Sequence, residues 1–428
     1  MWEGGGLSAF AVAERTADAA PDASARSGGL SASLFAAART GPQRTALRDS
    51  GDRVAWCGRP PITWTYAAAA EIVGRLARGI GAWRLPAGSR VGLWFSGGAE
   101  SALAHLAVEA AGHLPCPMPA LWDADQLSAG IASAGLVAVL TEGRRGARRP
   151  AEDLARAAMG HFGLRYLAAF GPGIPDGVIS LDAMALERGI VEPVASLGLV
   201  TFAAGDPARP VYRSAAALAA AIEAHLDTLP VTADERILTL LPAHDLRGLV
   251  TGLGAALAAG ASLETVIPFD EAGFRAGLMR PVPTRLVVPS LIEAALAAMP
   301  LPWTVRALNV IHRAPARAIV SAAPESPGAR RLDSLVFDED VVLTRPGGRD
   351  LAATLAHPDR APLPRALLDL AILDPGDGLE GPLVYRGLAC ATAALPRGGI
   401  PELDVEAWRD SGCRPILSDG VVTGVETA

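Results

Sequence analysis

Hydrophobic and polar positions along this chain alternate between short β-type runs and longer helical stripes. ITWTY, 62–66, reads as a strand, and the AAAAEIVGRLARGIGAW that follows reads as a helix with Ile72, Leu76 and Ile80 on one face. Further strands are predicted at 90–96 (RVGLWFS), 136–141 (LVAVLT) and 164–170, with a helix over 102–111. A second round begins with a strand at 197–202. Ser214 then caps a helix through Leu226, with Leu218, Ile222 and Leu226 aligned. Strands at 237–241 and 285–288 flank a helix over 252–260, and another helix is expected after Pro289-Ser290.

Such alternation predicts an α/β fold: two doubly wound subdomains, 31–195 and 196–333, each a mostly parallel sheet with helices packed on it. Beyond Ser334 the pattern changes to short strands with Pro/Gly turns (DPGDG, EGPLVYRG, LSDGVVTG), predicting a small β-rich subdomain at 334–428. Residues 1–30, rich in Gly, Ala and Ser, are expected to form a mobile tail.

Composition narrows the function classes. The 428 residues are 50% hydrophobic and 19% charged, which suits a folded chain with a sizeable core. A net charge of −7 argues against a nucleic-acid partner. The one basic cluster, Arg144, Arg145, Arg148 and Arg149, is expected on a solvated loop. Apolar runs are broken before membrane-spanning length, and the N-terminus lacks a basic region and a long apolar core, so a cytoplasmic protein is expected. Cys57, Cys116, Cys390 and Cys413 are scattered and imply neither a disulfide framework nor a zinc site. There is no lysine: all 38 basic residues are arginine. Codon bias accounts for most of that, yet no chemistry that needs a lysine ammonium can run within this sequence.

One stretch, VTFAAGDPARPVYRS (Val200 to Ser214), lies between a strand and a helix. Its plain reading is a strand-to-helix connector; its length and place suit a phosphate loop. Around it, an ordered series of segments resembles the adenylate-forming superfamily of acyl-CoA synthetases, aryl-CoA ligases, adenylation domains and luciferases. The series runs from ITWTYAAAAEIVGRLARGIGAWRLPAGSRVGLWF through LLPAHDLRGLVTGLGAALAAGAS and TRLVVPSLIEAAL to ILDPGDGLEGPLVYRGLA and WRDSGC, so it covers roughly Thr63 to Gly424. The resemblance implies the large N-terminal domain of that family. There, ATP and a carboxylic acid give an acyl-adenylate, and a thiol of CoA or a carrier protein then takes the acyl group.

The resemblance also implies a set of site positions, and the sequence departs from the family at each. In the phosphate loop Thr201 keeps the family's threonine, Gly205 falls within the loop, and Arg209 takes the lysine slot. Asp206 brings a negative charge, and Pro207 and Pro210 supply no N–H. Arg209 can at most offset a like-charge term of about 1 to 4 kcal/mol. The ribose-clamping aspartate becomes Cys413, which would weaken ATP by about a hundredfold or more, and Asp410 lies three residues early. The metal-holding glutamate is matched by Glu339 or Asp340 within Phe337-Asp338-Glu339-Asp340, with Asp338 at the family's glycine. Phe202, His244, Asp245 and Gly248, with Pro289, are the residues expected near the acyl pocket; His244 next to Asp245 is not expected to form a catalytic dyad. The family's hinge arginine is Val425, and the sequence stops where the lysine-bearing C-terminal domain would begin, so that domain is expected to be absent.

Three readings follow. The first is a pseudoenzyme with no cofactor, serving as a binding or regulatory subunit that meets an acyl ligand, an acyl carrier protein or a full-length synthetase of fatty acid metabolism. The second is an active acyl-CoA or acyl-carrier ligase that uses ATP and Mg, with its C-terminal domain supplied by another chain. The third is a structural dimerisation module.

Overall fold

The computed structural model describes residues 29–49, 53–316, 328–347, 367–372, 381–396, 398–418 and 421–428. Most of the expected mobile tail, the DPGDG turn and the start of the final DGVVTG segment lie outside the described residues.

Two sheets organise the chain. The smaller is wholly parallel, in the edge-to-edge order Leu114–Pro117, Arg90–Trp94, Ala138–Glu142, Tyr166–Phe170, Ile179–Ser180. Every residue of Arg90–Trp94 and Ala138–Glu142 is buried, as expected for strands covered on both faces. The larger sheet has eight strands: Val341–Pro346, Arg330–Phe337, Val305–Arg313, Thr284–Pro289, Arg236–Thr239, Ser262–Thr265, Thr45–Asp49 and Thr63–Thr65. Its interior pairs are parallel, while Val341–Pro346 and Thr63–Thr65 close the two edges antiparallel.

Strand pairing therefore crosses the sequence boundaries at 195 and 333. Thr45–Asp49 pairs with Ser262–Thr265, Leu47 opposite Leu263, so the first stretch of the chain completes the sheet of the second. Arg330–Phe337 and Val341–Pro346 extend that same sheet, and only the small sheets Asp369–Ile372/Leu383–Arg386/Arg409–Asp410 and Cys413–Ser418/Val421–Thr427 lie wholly after them.

Helices from both halves pack into one layer. Gly29–Thr40 touches Tyr66–Gly81, Ala99–Ala110, Ala215–Thr228 and Ala255–Ala259. Tyr66–Gly81 starts because Thr65 Oγ1 accepts the Ala68 N–H, and it buries Ala69, Val73, Leu76, Ala77 and Ile80 at helical spacing. Tyr66 Oη donates to the Ala261 carbonyl at 2.7 Å, pinning this helix to the larger sheet's supports. Ser214 caps Ala215–Thr228 as its side chain predicts. The helix expected over 252–260 begins earlier, at Leu246, and passes through a π-helical segment, Leu249–Gly254. Gly254 allows that close crossing: a Cβ there would stand 2.3 Å from Ile222 Cδ1.

The arginine cluster is only in part the solvated run expected: Arg149 is exposed, but Arg145 is not. Arg145 is buried, pairs with Glu142 at 2.7 Å, and lies over the Trp94 ring at 4.8 Å, with Arg148 over the same ring at 5.5 Å. Cation–π stacking and a buried carboxylate draw these side chains inward. Among the described residues, no helix is long and apolar enough to cross a membrane.

Candidate functional site

Val200 to Ser214 does not run directly from strand to helix. Leu199–Phe202 turns back antiparallel on Pro210–Arg213, Phe202 opposite Pro210, so the stretch is a β-hairpin whose tip is the loop 203–209. Ala393–Ala394 adds a third strand along Pro210–Arg213. The loop closes on itself: Ala203 N–H donates to Arg209 O, Asp206 N–H to Ala203 O, and Arg209 N–H to Asp206 O, at 2.9–3.0 Å. Asp206 Oδ1 accepts the Ala208 N–H at 2.9 Å, so this carboxylate supports the turn itself.

Opposite the loop lies the turn after Arg330–Phe337, and its three acidic residues point three ways. Asp338 reaches the loop, where Oδ1 accepts the Ala204 N–H and Oδ2 stands 3.5 Å from Arg209 Nη2. Both Ala204 (φ 52°) and Asp338 (φ 45°) adopt left-handed backbone, the conformation glycine takes most easily. Glu339 turns inward, with Oε2 accepting the Leu246 N–H at 2.9 Å and the carboxyl bonded to Thr201. Asp340 accepts from Tyr385 Oη at 2.7 Å and from Thr392 Oγ1. This divergence leaves no common centre for a cation. Among the described residues, no three His, Cys, Asp or Glu side chains are grouped to hold a metal.

Arg213, which pattern reading missed, ties these parts together. It is buried, and its guanidinium donates to the Ala389, Glu339 and Asp340 carbonyls at 2.7, 2.9 and 2.7 Å. An arginine at the end of a short strand reads as solvent-facing; only the tertiary fold brings three carbonyls around it.

Behind the turn, two carboxyls share a buried region. Burial first, and then the charge of Asp245, push Glu339 up to about 8 against the opposing Leu246 and Thr201 bonds. Burial also acts to raise Asp245, but His244 and Arg247 hold it below the usual carboxylate range. At neutral pH the pair therefore carries one charge, on Asp245, with Glu339 protonated. Asp245 Oδ2 takes Arg247 Nε at 2.8 Å, and Oδ1 caps the Gly248 N–H at 3.2 Å. His244 Nε2 lies 3.9 Å from Asp245 Oδ2, too far for a hydrogen bond, and burial holds its imidazole below its ordinary value. No His–Asp dyad forms.

Three of the four acyl-pocket candidates lie on one segment, 244–248, and the fourth, Phe202, on the hairpin. Phe202 is a core residue, edge-on to Trp122 with ring centroids 4.8 Å apart. Gly248 is a close-approach position, where a Cβ would lie 2.0 Å from Pro242 O. Asp245 is a buried cap, and only His244 keeps partial exposure. Cys413 opens the hairpin Cys413–Ser418/Val421–Thr427 and packs among Leu335, Phe337, Leu383 and Val425. Burial raises its thiol. Asp410 turns away, accepting the Gly412 N–H at 2.8 Å.

The open space is elsewhere, on the flank of the loop. A cavity of about 620 Å³ is lined by Ala203, Arg209, Pro210, Val211, Leu395 and Arg409, with Asp340 and Thr392 at its polar end. Arg409 is held there by the Thr392 carbonyl at 2.6 Å and hydroxyl at 3.0 Å.

Against known proteins, residues 34–164 match the family model described as AMP-binding enzyme. No curated protein matches the chain. Among solved structures, apo MbtA of Mycobacterium smegmatis is similar at 20% identity and a TM-score of 0.69, covering 94% of this chain and 76% of that one. A putative long-chain-fatty-acid CoA ligase of Rhodopseudomonas palustris is similar at 18% and 0.69, covering 94% and 98%. The o-succinylbenzoate coenzyme A synthetase of Bacillus subtilis, in complex with ATP and magnesium, is similar at 14% and 0.66, covering 92% and 98%. Residues 34–164 thus match the AMP-binding enzyme model, and the chain shares the fold of the large domain of acyl-CoA synthetase-like proteins.

Proposed function

We propose that this chain has kept the adenylating fold and lost ATP-dependent acyl adenylation, and that it serves as a binding subunit of an acyl-activating or acyl-carrier system. The observation that carries this reading is the place of Asp338. Its carboxylate takes the Ala204 N–H and faces Arg209, the donors that the loop retains for a phosphate. A triphosphate would meet this anion and Asp206, and Pro207 and Pro210 offer it no N–H. On the metal side, burial and Asp245 raise Glu339, and its carboxyl is committed to Leu246 and Thr201. These residues do not fit Mg·ATP.

The cavity beside the loop supports the binding half of the reading. Arg209 and Arg409 would take the acidic end of an acyl ligand or carrier arm, and Pro210, Val211 and Leu395 its apolar part. Four buried, unpaired cysteines suit a reducing compartment such as the cytoplasm.

One observation favours the alternative, an active ligase: Thr201 and Glu339, two positions the family uses, still touch. ATP–pyrophosphate exchange with a panel of carboxylic acids separates the readings. The pseudoenzyme gives no exchange above the protein-free blank with any acid. Exchange that depends on one acid, and is lost in Glu339→Gln, would favour the ligase.

A further inference from the structure

Four arginines converge on one cavity at the opposite end of the larger sheet from the phosphate-loop remnant. Arg236–Thr239 and Ser262–Thr265 begin here, whereas the Asp338–Asp340 turn follows the C-terminal end of a strand in the same parallel set. Arg44, Arg48, Arg236 and Arg280 line a space of about 270 Å³, with Asp234, Glu235 and Glu264 as its acidic residues. Four cations against three carboxylates leave a positive excess even if every acid counts in full.

The pairing is uneven. Buried Glu264 is shared by Arg236 Nη1 at 2.8 Å and Arg280 Nη1 at 3.4 Å. Arg236 is further satisfied by Thr284 Oγ1, which accepts from Nε at 3.1 Å and from Nη2 at 2.7 Å. Glu235 Oε2 accepts the Thr232 N–H at 2.8 Å and faces Arg285 at 3.9 Å. Among the described residues neither Arg44 nor Arg48 makes an ion pair, and Arg48 Nε is buried with no acceptor. Burial first, and then the charge of Arg280, hold the Arg48 guanidinium below its ordinary value, with Glu264 opposing. A buried guanidinium N–H without an acceptor is costly, and an oxyanion supplies what it lacks.

We propose that this cavity binds a compact, doubly charged phosphoryl anion, either inorganic phosphate or one end of pyrophosphate. The planar forks of Arg44 and Arg48 suit the oxygens of such a group, and Arg280 stands beside them to share the charge. Glu264 holds Arg236 in place at 2.8 Å. The assignment is independent of whether the chain adenylates.

The test is calorimetric titration of the full chain with inorganic phosphate and, separately, with pyrophosphate, at low ionic strength. Wild type should show one site. Arg48→Met or Arg44→Met should weaken it about tenfold to a hundredfold, while Arg209→Ala, in the old phosphate loop, leaves it unchanged. Pyrophosphate bound at least tenfold tighter than phosphate assigns the larger anion; equal affinities assign phosphate. In phosphate-free buffer Arg48→Met should melt at or above the wild-type temperature, because the charge crowding is relieved. Added phosphate should raise the Tm of wild type but not of that variant. The proposal is overturned by the absence of both heat and Tm shift in millimolar phosphate. Binding that survives both Met variants and disappears in Arg209→Ala overturns it as well.

Discussion

Replacing Asp338 by glycine should reopen the loop to anions while leaving the fold almost as stable as before. The stability change is a near-cancellation. The variant loses the Ala204 N–H bond and an ion pair at 3.5 Å whose partners are 57% and 33% exposed. Pairs so exposed contribute about 0 to 1 kcal/mol, and the hydrogen bond roughly 1 kcal/mol. Glycine relieves the left-handed strain at φ 45°, worth about 1 to 2 kcal/mol, and gives back about 0.5 to 1 kcal/mol in chain entropy. The net lies between a gain of about 0.5 and a loss of about 2 kcal/mol. Anion binding does not cancel: removing a unit repulsion near 4 Å recovers about 1 to 4 kcal/mol, and Arg209 and Ala204 N–H become free. Pyrophosphate affinity at the loop should rise about tenfold to a hundredfold. Asp338→Asn separates charge from shape and should fall between. The assay is pyrophosphate titration by calorimetry in an Arg48→Met background, which weakens the proposed second site. Equal affinity in the Asp338 and Asp338→Gly proteins would refute the view that this carboxylate occupies the loop.

The remaining predictions concern the scaffold of the same site. A raised folded pKa for Glu339 means that its stability contribution is complete below the unfolded value and is lost as pH rises through about 8. Between pH 5 and 8, wild-type Tm should therefore fall relative to Glu339→Gln, whose side chain stays neutral; parallel curves would contradict the protonated state. Gly248→Ala forces a Cβ to 2.0 Å from Pro242 O and should destabilise by about 1 to 3 kcal/mol or more in urea unfolding, whereas a neutral result would mean that this turn yields freely. Arg213→Met strands three buried carbonyls and should cost about 3 kcal/mol or more, with hydrogen exchange accelerating first in 199–213.

Local order was readable in the sequence wherever side-chain period and burial agree. RVGLW and the Ser214-capped helix stand close to where the pattern puts them. What escaped depends on partners distant in sequence. Thr45–Asp49, TALRD, carries two charges and gives no strand signal, yet it is held between Ser262–Thr265 and Thr63–Thr65. The phosphate-loop hairpin was hidden because its return strand begins with Pro210 and has only four residues. At the site, residue types showed that the family's donors were missing. They could not show that Asp338, Glu339 and Asp340 would part toward three partners, or that Arg213 would hold the turn and the hairpin together.

The central claim is most directly tested by titrating Mg·ATP into the wild-type chain by calorimetry. The account predicts no saturable binding below millimolar nucleotide, because Asp338 fills the loop and the Glu339 carboxyl is committed to Leu246 and Thr201. A micromolar dissociation constant, lost in Arg209→Ala, would contradict it.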